Sequence, residues 1–177
     1  PLQHMEYTRN GKLVDLPKDF YSTTAYTDTL IQFMEKNKSD DKPFFAYLSY
    51  TAVHDPLHAP KEYIEKYKGK FDTGWDALWL ERLNNLKKLG IVPKDLNKFS
   101  KNPRIPEWKS LSPDLKKEFA RDMEVYAAML DYMDMSIGRV FDYLKQNNMY
   151  DNRVVIFISD NGANGATANT YPGNEEG

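Results

Sequence analysis

An acidic and an amide side chain directly follow an apolar, β-branched segment near the end of the chain. Residues 154–158 form the apolar segment, and Asp160, Asn161 and Gly162 come just after it. In open α/β sheets, ligands collect beyond the carboxyl ends of strands. A carboxylate beside an amide oxygen suits a hard cation such as Ca²⁺ or Mg²⁺. Because Asp-Asn-Gly is also a common turn, the run predicts either a metal-binding pair, Asp160 and Asn161, or a plain turn.

Two of the three histidines lie in a proline-rich loop after a second apolar segment. His54 and His58 stand within residues 51–60, directly after the apolar and aromatic residues 44–50. The prolines stiffen the loop and hold an imidazole in place, which catalysis requires. A histidine there can move a proton near neutral pH or donate to an anion. The His-x-x-x-His spacing also matches two zinc ligands on a helix. Pro56 argues against a helix here, and the remaining alternative is a rigid surface loop without chemistry.

Composition excludes several classes of function. A length of 177 residues predicts one domain or part of a larger one. A net charge of −2 with 28% charged residues does not favour a nucleic acid or an anionic membrane as partner. The absence of cysteine excludes disulfides, thiolate metal sites and cysteine nucleophiles within this chain. No apolar run approaches the roughly 18 residues that span a bilayer.

The two ends of the chain carry few signals. His4 lies in a polar segment and is interpreted as a solvated side chain. The first residues show neither an initiator methionine nor the pattern of a signal peptide. Both ends are interpreted as cuts through a longer protein.

Strand and helix patterns alternate along the chain. The apolar residues 44–50 and 154–158 predict two buried strands. A crossover that contains helices connects them, which is typical of a parallel sheet in an α/β fold. The shorter helices are predicted from Ser22, as N-cap, to about Asn37, from Pro60 to near Gly69, and from Asp72 or Thr73 to just before Gly90.

The longest helix is predicted from Ser112, as N-cap, with Pro113 at its first position, to Asn147-Asn148. Its apolar residues alternate in steps of four and three, which predicts one buried face. We assign this face to the core and give it no chemistry. The predicted face consists of Phe119, Met123, Tyr126, Leu130, Met133, Ile137, Val140 and Leu144.

Both loops and the stretches between them resemble the sulfatase family. Residues 54–60, His-Asp-Pro-Leu-His-Ala-Pro, look like the family's H-x-P-L-x-A-P segment, and residues 159–163, Ser-Asp-Asn-Gly-Ala, resemble its S-D-N-G metal segment. The resemblance covers nearly the whole chain in the correct order. It implies an alkaline-phosphatase-like α/β sandwich with a mostly parallel central sheet, of which residues 1–177 are the middle part. Residues 16–23, 74–78, 89–93 and 123–129 are also similar to bacterial arylsulfatases.

The resemblance implies a chemistry for four residues. In sulfatases, a formylglycine hydrate made from the Cys or Ser of a C/S-x-P-x-R motif attacks the sulfur of a sulfate monoester, and a divalent cation, usually Ca²⁺, holds the sulfate oxygens. Asp160 and Asn161 match two of the metal ligands. His54 matches the histidine that contacts the sulfate or leaving-group oxygen. His58 stands where relatives often have Gln, and it is expected to line the substrate cleft.

The nucleophile of the family is not in this chain, which has neither a cysteine nor a Ser-x-Pro-x-Arg motif. We therefore expect a middle segment of a sulfatase catalytic domain that is inactive alone. Missing segments of the same domain, or self-association, are expected to cover its sheet edges. We also expect His54 and Asp160 at one edge of the sheet.

Two alternatives stay open. One is a phosphodiesterase or phosphonate hydrolase of the same superfamily, and the other is a non-catalytic module. Because sulfatases occur both in the cytoplasm and outside it, the resemblance assigns no compartment. It also does not identify the sulfate ester.

Overall fold

The computed structural model describes residues 6–39, 42–96, 102 and 104–162. Contacts divide the chain into two compact units: unit 1 comprises Pro1–Thr51 and Met133–Ser159, and unit 2 comprises Ala52–Tyr132 and Asp160–Gly177. In the described part of the chain, no helix combines the length and the apolar character that a membrane crossing needs.

Unit 1 begins with a β-hairpin. Strand β1 (Tyr7–Arg9) pairs antiparallel with strand β2 (Lys12–Val14). Asn10 and Gly11 connect them, both with positive φ, at 52° and 74°. Two consecutive left-handed residues define the type I′ turn, whose twist matches that of the strands. Asn-Gly is the residue pair that such a turn favours.

Helix α1 (Ser22–Asn37) packs in unit 1 with the last part of helix α4 (Pro113–Gln146). Met34 of α1 is buried in one cluster with Val140 and Leu144 of α4. At the rim, the Tyr143 hydroxyl donates to Glu35 Oε2 at 2.9 Å. The bounds of α1 match the sequence prediction, but the predicted N-cap is wrong. Ser22 is the first helical residue, and its hydroxyl meets that of Thr51 at 3.1 Å instead of capping the helix.

The two predicted strands do not form strands in the described structure. Residues 44–50 and 154–158 adopt neither helix nor strand, and the hairpin is the only sheet among the described residues. Phe45 is 91% exposed and Ile156 is 76% exposed. A β-strand needs a neighbouring strand that accepts and donates its backbone hydrogen bonds. Among the described residues, no strand pairs with either segment. The parallel central sheet is therefore not confirmed by the described residues. Arg153 lies over the Phe44 ring at 4.8 Å, so the starts of both segments are close together.

We expect the isolated chain to self-associate through residues 154–158. Five consecutive apolar residues with free backbone groups present a surface that other chains can pair with. Ile156→Lys should suppress this association because the added charge resists burial. The matched control is Leu89→Lys, since Leu89 is 72% exposed but lies in unit 2. Sedimentation velocity is the measurement, and a wild-type monomer at every concentration would contradict the prediction.

The described part of unit 2 contains three shorter helices and the first part of α4. They are α2 (Lys61–Glu65), α3 (Gly74–Lys88) and a single 3-10 turn, Trp108–Ser110. Local chemistry sets their ends as predicted in two places. The Ser112 hydroxyl accepts the Leu115 N–H at 3.3 Å and caps α4. Gly90, at φ 71°, ends α3 in the left-handed conformation that is common after helices.

The buried face of α4 differs from the predicted one. Only Val140 and Leu144 of the predicted face are buried, and Leu130 is exposed. The deepest face carries smaller residues, which let the neighbouring loop approach the helix closely, so the large side chains lie on its flanks. The buried residues of α4 are Ala120, Glu124, Val125, Ala128, Met129, Ser136, Val140 and Leu144.

Candidate active site

The loop that carries both histidines, residues 51–60, is fastened to the core of unit 2 by two apolar side chains. Leu57 and Ala59 are buried in one cluster with Val125, Ala128 and Met129 of α4. This burial removes apolar surface from water and stabilises one conformation of the loop. The loop is thus held in place, as its prolines suggested, and His58, between the two anchors, is only half-buried.

His54 is exposed, and its ring orientation is set by a backbone group. Nδ1 lies 2.7 Å from the carbonyl oxygen of Asp55. Because a carbonyl only accepts, Nδ1 carries the hydrogen, and Nε2 of the neutral ring carries the lone pair. Nε2 can therefore accept a proton or, once protonated, donate to an anionic oxygen. This is the chemistry expected of His54.

His58 is half-buried, and its backbone is tied to α4. The His58 N–H donates to Met129 Sδ at 3.4 Å. Its neighbours Leu57 and Ala59 are buried, so the main chain around His58 has little freedom. The structure thus places the two histidines in one loop with different environments.

Asp160 and Asn161 lie together in an exposed turn of unit 2. The Asn161 N–H donates to Asp160 Oδ1 at 3.0 Å, and Asn161 Nδ2 donates to the Gly162 carbonyl oxygen at 2.6 Å. The chain bends here and keeps a carboxylate and an amide side by side. Within the described ranges, no group of three or more His, Asp or Glu side chains could hold a metal ion. Ala163, the last residue of the predicted motif, lies outside the described residues.

The predicted common edge for His54 and Asp160 stays a prediction. Both residues belong to unit 2. Their hydrogen bonds are with Asp55 and Asn161, their own neighbours in the chain. The structure therefore pairs Asp160 with Asn161 and His54 with its own loop.

Asp122, an acidic residue of α4 near the histidine loop, was not predicted from the sequence as part of the site. Burial raises the pKa of the Asp122 carboxyl, and the negative charges of Glu118 and Asp55 raise it further. Asp55 is the neighbour of His54, so Asp122 is close enough to contribute to the electrostatic field of the loop. Glu118 and Asp122 stand four residues apart on one helix face, a like-charge pair visible in the sequence. Nothing in the sequence indicated that this face meets residue 55.

We expect Asp122→Asn to stabilise the protein at neutral pH. The unfolded carboxyl ionises with its ordinary pKa of about 3.9, whereas the folded one ionises at a higher pH. Stability is therefore lost as pH rises from about 4 through the folded pKa, and it stays lower above that pH. The uncharged Asn removes this loss, so the free energy of unfolding should increase at pH 7 but not below the unfolded pKa.

Urea denaturation at several pH values measures this effect. Asp142→Asn, which removes an exposed carboxyl of the same helix, is the matched control. An equal gain for Asp122→Asn at pH 3 and pH 7 would contradict the electrostatic explanation.

A family model described as Sulfatase matches residues 3–177 of the chain. An arylsulfatase of Klebsiella aerogenes is 39% identical over 176 residues, which is 98% of this chain and 37% of the relative. The chain belongs to the sulfatase family. An uncharacterized sulfatase of Schizosaccharomyces pombe is 43% identical over 169 residues, covering 94% of this chain and 30% of that protein.

The sulfatase relatives are much longer than this chain. It spans 37% of the Klebsiella protein and 30% of the Schizosaccharomyces protein. The family has the alkaline-phosphatase-like fold and generally uses a divalent metal. Oxygen ligands are what such hard cations prefer, so Asp160 and Asn161 fit as part of a site and not as a complete one.

Proposed function

We propose that the chain is a segment of an arylsulfatase-like sulfuric ester hydrolase that carries the histidine loop and part of the divalent-metal site. The observation that carries this proposal is the 39% identity to an arylsulfatase over 98% of the chain. The anchored loop supports it, because His54 presents an exposed imidazole whose Nε2 is available for proton transfer.

Each site residue has a role in this proposal. His54 contacts the sulfate or the leaving-group oxygen, where a protonated Nε2 donates to developing negative charge. His58 lines the substrate cleft. Asp160 and Asn161 supply two oxygen ligands to a divalent cation, which we take to be Ca²⁺ or else Mg²⁺. When bound, the cation withdraws electrons from the sulfate oxygens that it holds. The formylglycine nucleophile comes from outside this chain, which contains no cysteine.

We further propose that residues 44–50 and 154–158 become neighbouring strands of a mostly parallel central sheet. Their exposed apolar side chains suit strands that are buried on both faces. The contact of Arg153 with the Phe44 ring supports a parallel arrangement, because it joins the starts of both segments. Other segments of the same sulfatase domain would supply the missing strands, and self-association would cover the same edges in the isolated chain.

The test is an assay of the full-length protein with an aryl sulfate and the corresponding aryl phosphate. We expect faster hydrolysis of the sulfate. The isolated 177-residue chain is the control and should hydrolyse neither compound, because it lacks the covalent nucleophile. A full-length protein that prefers the phosphate, or that hydrolyses neither ester, would contradict the proposal.

A phosphodiesterase or phosphonate hydrolase of the same superfamily is the second candidate. A multifunctional alkaline phosphatase superfamily protein of Trinickia caryophylli is 25% identical over 152 residues, covering 83% of this chain and 28% of that relative. Lower identity makes this candidate the weaker one. The same assay distinguishes the two, provided that a phosphodiester and a phosphonate ester are included.

We expect the isolated chain to bind Ca²⁺ only weakly. Ca²⁺ takes six to eight oxygen ligands, and Asp160 with Asn161 supplies few of them with one formal negative charge. Even complete extracellular sites bind in the range of about 10⁻⁴ to 10⁻³ M, so this pair should bind more weakly. Isothermal calorimetry with wild type and Asp160→Asn measures it. A micromolar site that Asp160→Asn abolishes would show that further ligands complete the shell.

A further inference from the structure

Helix α2 is too short to hold its own position after the histidine loop. It has five residues, Lys61–Glu65, and its N-cap residue Pro60 makes no side-chain cap. A helix of this length is unstable unless tertiary contacts hold it. Ile64, fully buried in the cluster that also contains Leu57 and Ala59, supplies one such contact. The position of the loop therefore depends on contacts that other parts of the chain make with the loop and with α2.

Glu124 of α4 holds the turn that follows α2. Its side chain is buried, and Oε1 accepts the Gly69 N–H at 2.7 Å. Oε2 accepts from Arg121 Nη1 at 2.9 Å, so the buried charge is paired. Gly69 has a positive φ of 75°, a backbone conformation that glycine adopts without steric cost. A charged acceptor makes a stronger hydrogen bond than a neutral one, and this one links α4 to the end of the α2 region.

Met129 holds the other end, within the histidine loop itself. It lies little more than one helical turn after Glu124, it is buried, and its Sδ accepts the His58 N–H at 3.4 Å. Its side chain also packs in the cluster with Leu57 and Ala59, the neighbours of His58. One short stretch of α4 thus contacts both the loop and the turn that closes α2.

We propose that Glu124 and Met129 are positioning residues for the histidine loop. The proposal rests on the proposed function, since it assigns them to the placement of His54 and His58 for ester hydrolysis. Both residues are buried, so we assign neither of them to contact with the substrate. Met129 fixes the main chain at His58, and Glu124 fixes the turn after α2. The loop is therefore held at His58, and the segment that follows it is held at Gly69, so His54 extends from a fixed base when substrate arrives. Catalysis is sensitive to such placement, because a shift of about 1 Å can lower the rate about 100-fold.

The test uses the imidazole C2–H signals in proton NMR, of which the chain has only three. Met129→Leu keeps the volume of the side chain but removes the sulfur acceptor. We expect the His58 and His54 signals to shift and the His58 amide to exchange about two- to tenfold faster, as loss of one hydrogen bond implies. Met34→Leu makes the same change at a similarly buried site in unit 1 and should leave the loop signals in place.

Glu124 has its own pair of variants. Glu124→Ala removes both hydrogen bonds, whereas Glu124→Gln keeps an oxygen for the Gly69 N–H. The His54 signal should therefore shift in Glu124→Ala and return toward wild type in Glu124→Gln. Should Glu124→Ala fail to fold, Met129→Leu alone decides. Unchanged His54 and His58 signals in Met129→Leu, or equal changes in Met34→Leu, would overturn the proposal.

Kinetics of the full-length protein separate this proposal from the proposed function. In Met129→Leu we expect a lower kcat for an aryl sulfate, by up to about 100-fold, with KM little changed. A full-length protein without sulfate hydrolysis refutes the proposed function, and the NMR result still decides whether these residues position the loop. A kcat equal to that of wild type in Met129→Leu would refute the positioning role.

Discussion

Replacing Gly74 by alanine should destabilise unit 2 by about 3 kcal/mol or more, a cost that combines backbone strain with overpacking. Gly74 has a φ of 77°, and a Cβ there would lie 2.0 Å from Cδ2 of the Trp108 ring. The ring cannot move aside cheaply. The Trp108 N–H donates to Asp76 Oδ2 at 2.8 Å, and its ring meets that of Trp75 edge-on at 4.8 Å. Alanine must therefore either break this arrangement or distort the start of α3.

Gly90→Ala is the matched control for this prediction. Gly90 has a φ of 71°, and no atom lies within 4 Å of the added Cβ. Its substitution should lower the free energy of unfolding only by the strain of a left-handed backbone at alanine, about 1–2 kcal/mol. Urea denaturation followed by tryptophan fluorescence measures both variants, and all three tryptophans lie in unit 2. Equal losses for Gly74→Ala and Gly90→Ala would show that contact with Trp108 does not matter.

His54→Ala in the full-length protein should lower kcat for an aryl sulfate by about 10²- to 10⁴-fold, the contribution typical of a positioned general acid or base. The structural reason is that the bond from Nδ1 to the Asp55 carbonyl leaves Nε2 as the reactive nitrogen of an exposed ring. Alanine removes the proton donor without emptying the core, because Leu57 and Ala59 anchor the loop. The loss should therefore appear in activity and not in stability.

His4→Ala is the matched control for His54, because the sequence predicts no chemistry for His4, which lies outside the described residues. His58→Ala should give an intermediate loss if His58 lines the cleft. Initial rates at saturating aryl sulfate, together with thermal unfolding of each variant, separate catalysis from folding. A His54→Ala enzyme with wild-type kcat would remove His54 from the mechanism.

The ends of helices could be predicted from the sequence because local chemistry decides them. Gly90 ends α3 through the bond from the Ile91 N–H to the Leu86 carbonyl at 3.0 Å. Asn148, at φ 57°, ends α4 in the same way, where the Met149 N–H reaches the Leu144 carbonyl at 2.7 Å. All partners in these motifs lie within five residues of each other. No knowledge of the fold was needed to expect them.

Features that depend on contacts between residues far apart in the chain could not be predicted from the sequence. The apolar residues 154–158 look like a strand, but pairing is a property of two segments, and no neighbour is present among the described residues. The face of α4 was misjudged for a related reason. Apolar spacing identifies where the large side chains lie, whereas the loop with Leu57 and Ala59 packs against Val125, Ala128 and Met129, which are not on the predicted face.

For the candidate site too, local features could be predicted from the sequence, and contacts between distant residues could not. The residue types of His54, His58, Asp160 and Asn161 and their places after apolar segments were visible in the sequence. The proximity of Asp122 to Asp55 was not, because it joins residues that are far apart in the chain and depends on how α4 packs. Chemistry that lies within one loop can therefore be predicted, and chemistry between elements cannot.

The contact between Phe44 and Arg153 has a consequence for synthesis on the ribosome. About a hundred residues separate the two side chains in the chain. At roughly 5–20 residues per second, the aromatic segment that starts at Phe44 emerges several seconds before its partner exists. During that time, an apolar stretch without a neighbour is exposed to chaperones and to other nascent chains. Conditions that slow translation between these positions should therefore increase the need for chaperones while leaving the final fold unchanged.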